Sequence, residues 1–461
     1  MKEIRCTLLV VGAGPGGYVC AARAGEHGID TVVVEADRLG GTCLNVGCIP
    51  SKALIHAADE YARVRSFAAQ RSSLGIRVAD PALDLAQTIA WKDAIVDRLG
   101  GGVSGLLKRA RVKVVLGRAR FRDGKTVVVS TETGGEQTIR AEHVVVATGS
   151  RPVELPSLPF GGNVVSSTEL LATRELPQRL VVVGAGYIGV ELGTAFAKLG
   201  SQVTLVDLAP RILPQYDAEL VRPVVQRLAA LGVQLRVGAT VKGASADGRL
   251  AIETAAGGER LPADRILVAV GRRPAVEECG LEELDLDRDG PYVRVDDQCR
   301  TSMRGVYAIG DVTGEPMLAH RAMMQGEVVA DRIAGRKRVF EPRAIPAICF
   351  TDPEIVAVGP SLDEARRVHP ELRVGMVPFS ANGRALTLDG DSGFVRVVAR
   401  ADNHLVLAMH AVGAGVSEFA SAFALALEMG ARLEDIAGTI HAHPTLGEAV
   451  QEAAQRALGR A

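Results

Sequence analysis

The chain has 461 residues, which is enough for about three domains of ordinary size. Its 47% hydrophobic and 23% charged residues are typical of a globular protein and exclude a globally disordered chain. The formal net charge of -1 gives no electrostatic case for binding nucleic acid, and no apolar stretch approaches the ~18 residues of a transmembrane helix. Because the first residues lead straight into a strand with no leader sequence, we expect a cytoplasmic protein that binds neither nucleic acid nor membrane.

The chain opens with a pattern typical of dinucleotide binding. A strand over 8–11 is followed by a glycine-rich turn, an Ala-rich helical stretch to about His27 and a second strand over 31–35. The turn has the spacing G-x-G-x-x-G, which brings backbone N–H groups and a helix N-terminus up to a pyrophosphate. Its three glycines are Gly12, Gly14 and Gly17. Glu35, at the tip of the second strand, is placed to accept hydrogen bonds from a ribose diol.

Directly after this unit, Cys43 and Cys48 lie five residues apart at the start of a predicted helix. Gly47 permits an irregular first turn, in which the two thiols can form a disulfide. A helix N-terminus favours the reactive thiolate, and Lys52 adds a cation one turn further on. Zinc binding is the competing interpretation, although a zinc site needs a second pair of ligands that is not evident in the sequence. The pattern favours a redox-active dithiol.

The nucleotide pattern recurs in the middle of the chain. A strand, a second G-x-G-x-x-G turn, a helix and a further strand follow in the same order over 180–207. Asp207 lies 23 residues after Gly184, as Glu35 lies 23 residues after Gly12. This spacing argues against two ordinary strand–helix turns and predicts two bound adenine dinucleotides. The glycines of the second turn are Gly184, Gly186 and Gly189.

Two dinucleotides and one dithiol together define a chemistry. Nicotinamide does not readily exchange hydride with a disulfide, whereas a flavin between them takes hydride on one face and passes two electrons to sulfur on the other. The residue pattern therefore favours a flavin in one unit and a nicotinamide dinucleotide in the other.

The remaining elements carry no cofactor signal. Strands are predicted over 143–149, 266–270 and 305–311, and the C-terminal part mixes short strands, such as 393–398, with amphipathic helices, such as 418–428. An α/β segment without a glycine fingerprint is often an oligomerisation domain. Five isolated cysteines are expected to be buried structural residues: Cys6, Cys20, Cys279, Cys299 and Cys349.

Several motifs together make the chain similar to a known family. They are GGTCLNVGCIPSK at 40–52, YAIGD at 307–311, MLAH at 317–320 and HAHPTLGE at 441–448. With them, the chain resembles the flavin-dependent pyridine nucleotide–disulfide oxidoreductases from about residue 7 to about residue 456. Within this family it is similar to the members that reoxidise dihydrolipoyl groups for 2-oxoacid dehydrogenase complexes.

The resemblance implies an α/β fold with two Rossmann-like dinucleotide-binding domains, for FAD and NAD, and a C-terminal α+β dimerisation domain. We expect an FAD-binding domain with the redox disulfide over 1–150 and an NAD-binding domain over 151–275. A central domain over 276–345 is expected to complete the FAD site, and the dimerisation domain over 346–461 to carry the catalytic histidine.

The resemblance also implies roles for individual residues. Electrons are expected to pass from a dihydrolipoyl group through the Cys43–Cys48 disulfide and FAD to NAD. Cys43 matches the interchange thiol and Cys48 the thiol next to the flavin, while Lys52 and Glu191 match an ion pair at the flavin N5 side. Glu35 and Asp207 match the residues that hold the adenosine ribose of FAD and the ribose of NAD. The other positions matched to cofactor contacts are Asp311 at the ribityl chain, with Gly41, Thr42, Gly117, Thr148, Gly149, Ser150, Gly271, Ala319 and His320.

His443 and Glu448 match a base and its orienting carboxylate. A histidine beside a proline is, taken alone, more often structural, but a dithiol substrate needs a base, and imidazole suits that task. In the family, this pair faces the cysteines of the other subunit. The implied partners are therefore a second copy of the chain, together with the lipoyl domains and acyltransferase core of a 2-oxoacid dehydrogenase complex. No metal site is expected.

Other relatives fit the sequence less well. Glutathione-type reductases bind NADPH through arginines after the second strand, where this chain has Asp207, a carboxylate that repels a phosphate. Arg211, four residues on, is expected to be a surface residue. Mercuric reductases carry a further cysteine pair at the C-terminus, and soluble transhydrogenases lack the redox pair.

A non-catalytic scaffold is the alternative from a different class. The matched residues Cys43, Cys48, His443 and Glu448 argue against lost catalysis. Residues 91–93 and 379–385 resemble the bacterial branch that is associated with the branched-chain 2-oxoacid dehydrogenase complex.

Overall fold

The computed structural model describes residues 3–69, 72, 74–131, 134–245, 248–277 and 279–460. The strands are β1 (Glu3–Val11), β2 (Thr31–Glu35), β3 (Lys113–Leu116), β4 (Arg118–Asp123), β5 (Thr126–Ser130), β6 (Glu136–Val146), β7 (Ser150–Pro152), β8 (Val164–Val165), β9 (Arg179–Val183), β10 (Gln202–Asp207), β11 (Gln234–Val237), β12 (Thr240–Ala244), β13 (Arg249–Thr254), β14 (Gly257–Pro262), β15 (Arg265–Val268), β16 (Arg272–Pro274), β17 (Arg288–Asp289), β18 (Tyr292–Val293), β19 (Val306–Ala308), β20 (Ala347–Cys349), β21 (Glu354–Val358), β22 (Leu372–Pro378), β23 (Phe394–Arg400) and β24 (Val406–Gly413). The helices are α1 (Pro15–Glu26), α2 (Gly41–Val46), α3 (Cys48–Ala68), α4 (Leu85–Arg109), α5 (Ser167–Leu171), α6 (Tyr187–Leu199), α7 (Ala218–Ala230), α8 (Ala319–Ile333), α9 (Leu362–Val368), α10 (Gly383–Thr387), α11 (Ala420–Glu428), α12 (Leu433–Gly438) and α13 (Glu448–Ala457). Over these ranges, no helix combines the length and the apolar character that crossing a bilayer requires.

The first sheet carries the first glycine turn at its carboxyl edge. Its strand order is β3-β2-β1-β6-β5-β4, with β19 beside β6. The crossovers from β1 to β2 and from β2 to β3 are helical, so these strands run parallel, whereas β4, β5 and β6 form an antiparallel meander. The turn over 12–17 therefore lies outside the carboxyl ends of parallel strands, where open α/β sheets bind ligands.

The second sheet repeats this layout. Its order is β11-β10-β9-β15-β8, with all pairs parallel, so that β9 and β10 correspond to β1 and β2. Leu180 to Val183 of β9 are buried on both faces, as the run of aliphatic residues predicts. Along the chain, the strands between β11 and β15 form a separate antiparallel sheet of order β12-β13-β14. The equal 23-residue spacings therefore reflect two copies of the same strand–turn–helix–strand arrangement.

The chain enters and leaves this second unit through neighbouring strands. β7 and β16 pair antiparallel, with Ser150 opposite Pro274. Just beyond the pair, the Val153 N–H donates to the Gly271 carbonyl at 3.0 Å, and the Ala275 N–H donates to the Gly149 carbonyl at 2.9 Å. The two crossovers between the units thus lie side by side.

The C-terminal part forms an antiparallel sheet of order β20-β21-β24-β23-β22, covered by α11, α12 and α13. Helix α13 lies directly on β22, because a Cβ at Gly375 would stand only 1.9 Å from the Ala453 carbonyl oxygen. Several large apolar side chains of this part stay exposed, among them Leu425 (62%), Met429 (77%) and Ile440 (94%). An apolar surface of this kind is typical of a contact with another chain.

The predicted elements occur in the predicted order, but several ends differ. The strand predicted over 266–270 ends at Val268, and the strand predicted over 305–311 ends at Ala308. The latter stops because Gly310 has a φ of 74°, which a strand cannot continue through, and a 3-10 turn follows. The helix predicted over 418–428 begins at Ala420, after another 3-10 turn.

Candidate active site

The two cysteines lie on either side of a helix break. Cys43 is in the short helix α2, and Cys48 is the first residue of α3. Between them, Gly47 has a φ of -132° and a ψ of -109°, and a Cβ there would lie 2.9 Å from the Thr42 carbonyl oxygen. The sequence predicts one helix with an irregular first turn, whereas the structure has two helices. Because of this break, the thiols meet as a hydrogen-bonded pair of free cysteines.

The two thiols differ in acidity. The hydrogen bond from the Cys43 thiol, helped by the positive charge of Lys52, lowers the pKa of Cys48 to about 7, although burial acts in the opposite direction. The same hydrogen bond, together with burial, raises the pKa of Cys43 well above its ordinary value. In the reduced pair, Cys48 therefore carries the thiolate near neutral pH, and Cys43 holds the proton.

Lys52 is held by residues from distant parts of the chain. Its Nζ donates to Glu191 Oε2 at 2.8 Å, which joins α3 to the second nucleotide unit. Glu191 Oε1 accepts the Phe350 backbone N–H at 2.8 Å, and the Lys52 Nζ lies 4.6 Å from the centre of the Phe350 ring. Burial alone would lower the pKa of Lys52, but the Glu191 carboxylate outweighs it and raises that pKa. Lys52 therefore stays cationic beside Cys48.

A cavity of about 510 Å³ extends from the carboxyl edge of the first sheet to the cysteine pair. Its volume lies within the range of cofactor sites. The structure brings the predicted residues of the first unit and its surroundings together in the lining: Gly12, Gly14, Gly17, Glu35, Gly41, Thr42, Cys43, Cys48, Lys52, Gly117, Thr148, Gly149, Ser150, Glu191, Asp311 and Ala319. Their individual contacts with a cofactor remain predictions.

The groups in this cavity fit FAD. The Glu35 carboxylate accepts the Ala13 N–H at 2.8 Å and the Asp37 N–H at 3.1 Å, which fixes it at the end of β2. A Cβ at Gly12 would collide with the Ala147 carbonyl oxygen at 2.3 Å, so only glycine permits the close turn. The buried Thr148 Oγ1 has no hydrogen-bond partner among the residues that the structure describes. An unpaired buried hydroxyl in the lining suits a polar ligand.

At the same cavity, a chain of hydrogen bonds orients Asp311. The Ser150 hydroxyl donates to Asp311 Oδ2 at 2.5 Å, and Arg272 donates through Nε to Ser150 Oγ and through Nη2 to the Ser150 carbonyl, each at 2.8 Å. Arg272 lies on β16 and lines the cavity, but the sequence analysis did not select it. Its only sequence signal is the GRRP turn that ends the second unit.

The second unit repeats the carboxylate arrangement. Asp207 accepts the Ala185 N–H at 2.5 Å and the Ala209 N–H at 2.7 Å, as Glu35 accepts the corresponding groups of the first unit. Arg211 is half-buried rather than a surface residue, because its guanidinium donates to the Leu213, Pro214 and Tyr216 carbonyls at 3.4, 2.7 and 2.8 Å. The guanidinium of the arginine nearest to Asp207 in sequence is thus occupied by backbone carbonyls of its own turn. This arrangement agrees with a ribose diol, rather than a phosphate, at Asp207.

Both units also share a feature that the sequence analysis missed. In register with the carboxylate, the neighbouring strand ends in an aliphatic residue that stays exposed: Leu116 (49%) opposite Glu35 and Val237 (37%) opposite Asp207. A glycine with positive φ follows each, Gly117 or Gly238. In each unit, an exposed aliphatic side chain thus lies beside the carboxylate that is predicted to bind a ribose. These two residues can be recognised only when the register between the neighbouring strands is known. That register cannot be read from sequence spacing alone.

His443 and Glu448 meet outside this cavity. The His443 ring is bonded through Nδ1 to Glu448 Oε1 at 2.9 Å, and its side chain is 80% exposed. The Thr445 N–H and then His443 lower the pKa of Glu448. His443 lies in the loop before α13, which begins at Glu448, so it does not start the helix. Within one chain the pair is not part of the cavity lining, and its role as a base stays a prediction.

One cysteine that was predicted to be structural lines the cavity, whereas His320 and the glycines of the second unit do not. Cys6, Cys20, Cys299 and Cys349 are buried as expected, but Cys279 is only half-buried and lines the cavity, because it lies in a turn at the cavity edge. His320 is not part of the lining; its Nε2 is bonded to the Pro346 carbonyl at 2.9 Å, and burial lowers its pKa. The glycines of the second unit, with Gly271, lie outside this cavity too.

Comparison with known proteins agrees with this geometry. Residues 6–326 match the model of the family described as pyridine nucleotide-disulphide oxidoreductase, and residues 345–454 match the model of its dimerisation domain. A dihydrolipoyl dehydrogenase of Pseudomonas aeruginosa is 61% identical over 459 residues, which cover 99% of this chain and 98% of that protein. Dihydrolipoyl dehydrogenase 2 of Haloarcula marismortui is 48% identical, with 98% and 97% covered.

A solved structure shows the same fold. The crystal structure of LpdA from Mycobacterium tuberculosis superposes with a TM-score of 0.90 at 28% identity, covering 98% of this chain and 99% of that one. The predicted fold class, with two Rossmann-like domains and a C-terminal dimerisation domain, is confirmed, as is the prediction of an FAD- and NAD-dependent oxidoreductase. The chain belongs to the pyridine nucleotide-disulphide oxidoreductase family.

Proposed function

We propose that the chain is a dihydrolipoyl dehydrogenase, which reoxidises dihydrolipoyl groups with NAD as the electron acceptor. The observation that carries this proposal is the Cys43 and Cys48 thiol pair beside the Lys52–Glu191 ion pair, at one end of a cavity that fits FAD. The full-length similarity to dihydrolipoyl dehydrogenases supports the choice of substrate.

The first step is a dithiol–disulfide exchange. The substrate thiolate attacks Cys43, which breaks the Cys43–Cys48 bond and leaves Cys48 as a thiolate. The second substrate sulfur then displaces Cys43, so the substrate becomes a disulfide and the cysteine pair holds two electrons. The exchange requires a proton acceptor, for which we propose His443 of the partner subunit, oriented by Glu448 through its ring Nδ1.

After the exchange, residues of this chain stabilise the Cys48 thiolate and hold the two cofactors. FAD held by the residues of this cavity would supply the two-electron and hydride chemistry that links a dithiol to a nicotinamide. Lys52 stabilises the thiolate of Cys48, since it stays cationic beside it. Glu35 and Asp311 are proposed to hold the adenosine ribose and ribityl chain of FAD, and Asp207 the ribose of NAD.

The proposal includes partners and location. The dimerisation domain implies a homodimer, and a lipoyl substrate implies the lipoyl domains and acyltransferase core of a 2-oxoacid dehydrogenase complex. Residues 91–93 and 379–385 favour a complex of the branched-chain type. A catalytic thiol pair of this kind suits the reducing cytoplasm, where lasting structural disulfides are rare.

Another flavin disulfide reductase of the glutathione-reductase type is the second candidate, because it shares the thiol pair and the fold. The carboxylate of Asp207 and the engaged Arg211 count against NADPH, its usual donor. Comparing NADH with NADPH as reductant of the purified protein separates the two. A non-catalytic scaffold would leave the thiol pair inert with both.

The first experiment is a visible spectrum of the purified protein, followed by an anaerobic titration with dihydrolipoamide. We expect a yellow protein that takes up two electrons, develops a long-wavelength absorption band and then reduces NAD. A yellow protein that is reduced by NADH but not by dihydrolipoamide would still be a flavoprotein of this family. Its substrate would then be another disulfide. A protein unable to bind FAD would overturn the proposal.

A further inference from the structure

Thr445 fixes the loop that carries His443 through both its backbone and its hydroxyl. The Thr445 N–H donates to Glu448 Oε2 at 2.9 Å, and the Thr445 hydroxyl donates to the Ala442 carbonyl at 2.7 Å. Because Glu448 Oε1 bonds the His443 ring, one carboxylate orients both the imidazole and the backbone two residues later. Any displacement of Thr445 is therefore passed to the His443 ring through Glu448.

The third bond to Thr445 comes from another part of the fold. Asn382, between β22 and α10, donates from Nδ2 to the Thr445 carbonyl at 3.1 Å. Its Oδ1 accepts the Ala385 N–H at 2.9 Å, which caps α10. The orientation of the amide is fixed, because a backbone N–H can only donate and a carbonyl can only accept.

Asn382 is built into the core rather than placed on the surface. The residue is 4% exposed, its backbone N–H donates to the Phe379 carbonyl at 2.9 Å, and its carbonyl accepts the Leu386 N–H at 3.2 Å. All the polar groups of Asn382 therefore have partners, and the direction of its side chain is set by the packing around it. The segment 379–385 was selected in the sequence only as a mark of one branch of the family.

We propose that Asn382 is a positioning residue for the catalytic base: it fixes the Thr445 carbonyl and so holds Glu448 and His443 in the orientation that the dithiol half-reaction needs. The inference rests on the proposed function of His443. Asn382 is not among the residues that line this chain's cavity, so we expect its effect to be confined to the step in which a proton is taken from the dithiol.

The isosteric variant Asn382→Asp separates positioning from helix capping. A carboxylate keeps the acceptor for the Ala385 N–H but turns an oxygen toward the Thr445 carbonyl in place of a donor. Asn382→Ser is the second variant, because serine also caps a helix but is too short to reach Thr445. Ser361→Ala is the matched control: it removes the cap of α9 in the same domain, and Ser361 makes its side-chain bonds within the first turn of that helix.

The test uses the FAD-loaded protein and follows its two half-reactions by stopped flow. With dihydrolipoamide as donor, we expect the reduction rate of N382D and N382S to fall about 10- to 100-fold, the loss that a misplaced catalytic group produces. With NADH as donor, both should stay within about 2-fold of the unchanged protein, since that direction does not require the base. S361A should be unaffected in both. Hydrogen exchange of segment 441–448 should accelerate in the Asn382 variants alone.

Equal losses with both donors in a variant that still binds FAD and unfolds at the temperature of the unchanged protein, or no loss with dihydrolipoamide, would overturn the inference. A variant that fails to fold loses the NADH reaction too and is replaced by the other variant. If dihydrolipoamide does not reduce even the unchanged protein, the proposed function fails, and the hydrogen-exchange comparison still decides whether Asn382 fixes the loop.

Discussion

At the scale of single residues, the acidity of Cys48 is the property most open to measurement. The structure lowers its pKa to about 7 through the Cys43 thiol and Lys52. The thiolate is therefore present above about pH 7 and is lost as the pH falls through that value. We expect the long-wavelength absorption of the reduced protein to fade with a midpoint near pH 7, as followed in an anaerobic pH titration.

The replacement Cys48→Ser supplies the control. Without the second sulfur the disulfide cannot form, so we expect flavin binding to persist and lipoamide turnover to disappear. The absorption band should be absent at every pH. Appreciable residual turnover with dihydrolipoamide would contradict a relay through both cysteines.

Phe350 is expected to influence the same thiolate from a distance. Its ring lies over the Lys52 Nζ, and Phe350→Leu removes that contact while leaving the backbone N–H that binds Glu191. A contact of this type is worth ~0.5–1 kcal/mol, so turnover at pH 7 should fall about 2- to 5-fold. The pKa of Cys48 should rise, because Lys52 is held less firmly beside it. Phe350→Tyr, which keeps the ring, should behave as the unchanged protein in the same pH titration.

The residues that sequence reasoning identified differ from those it missed in how they act. Cys43, Cys48, Glu35 and Asp207 carry their chemistry in their own side chains at readable spacings. Phe350 acts through a backbone N–H and a ring face, and Asn382 acts through a carbonyl of another loop, so neither residue type signals its role. Such roles depend on the three-dimensional packing of segments far apart in sequence and need coordinates to be seen.

At the scale of elements, the third glycine of each fingerprint sets the distance between helix and turn. A Cβ at Gly17 would stand 1.9 Å from the Gly12 carbonyl oxygen, and a Cβ at Gly189 would stand 1.9 Å from the Gly184 carbonyl oxygen. Alanine at either position must push α1 or α6 away, at a cost of about 1–3 kcal/mol or more. We expect Gly17→Ala to lose bound FAD and Gly189→Ala to keep FAD but react slowly with NADH.

Absorption spectra of the purified Gly17→Ala and Gly189→Ala variants measure how much FAD each retains. Their NADH-dependent reduction rates measure the reaction with the nicotinamide. Gly101→Ala in α4 is the control, because its Cβ would meet no atom of the described residues within 4 Å. That variant should be as stable as the unchanged protein or up to ~1 kcal/mol more stable in thermal unfolding. Equal retention of FAD and equal NADH rates in all three variants would contradict the expectation.

Element order was predictable to a large extent because hydrophobic runs and glycine turns are local signals. The strands β1, β2, β9 and β10 and the helices between them occur where the pattern places them. The break between α2 and α3 was less predictable: Gly47 is one of many glycines, and its role depends on a contact with the Thr42 carbonyl. Strand ends such as Val268 also depend on tertiary contacts rather than on the local sequence.

At the scale of the whole molecule, a buried cluster joins the second unit to the C-terminal sheet. Arg396, 1% exposed on β23, bonds Asp217 and donates to Glu219 Oε2 at 3.0 Å, while its Nη2 contacts His410 Nδ1 at 2.9 Å. His410 Nε2 contacts the Pro360 carbonyl at 3.1 Å, so the ring is neutral with its proton on Nε2. Burial, followed by the charge of Arg396, lowers the pKa of His410 to about 4.

This pKa predicts a loss of stability in acid. The unfolded histidine has the ordinary value of 6.5, so between pH 6.5 and about 4 the unfolded chain binds a proton that the folded chain does not. The free energy of unfolding should therefore fall by up to ~3 kcal/mol as the pH falls through this window.

His410→Asn provides the comparison, since its amide oxygen can still accept from Arg396 but does not titrate. Urea unfolding at pH 7, 5.5 and 4.5 should show a smaller decrease in stability for H410N than for the unchanged protein. Parallel pH profiles for the two would contradict the expectation.

The paired crossovers β7 and β16 have a consequence for the ancestry of the chain. Since Val153 and Gly271 are joined by a single 3.0 Å hydrogen bond, the whole segment between them begins and ends at one point of the first unit. Closing so short a gap costs a host fold little, and domain insertions succeed at sites of this kind. A gene encoding one nucleotide-binding unit can thus acquire a duplicate of itself without disturbing either sheet. The second unit also contributes Glu191 to the cavity of the first, so an exchanged unit would have to keep that residue to preserve the ion pair with Lys52.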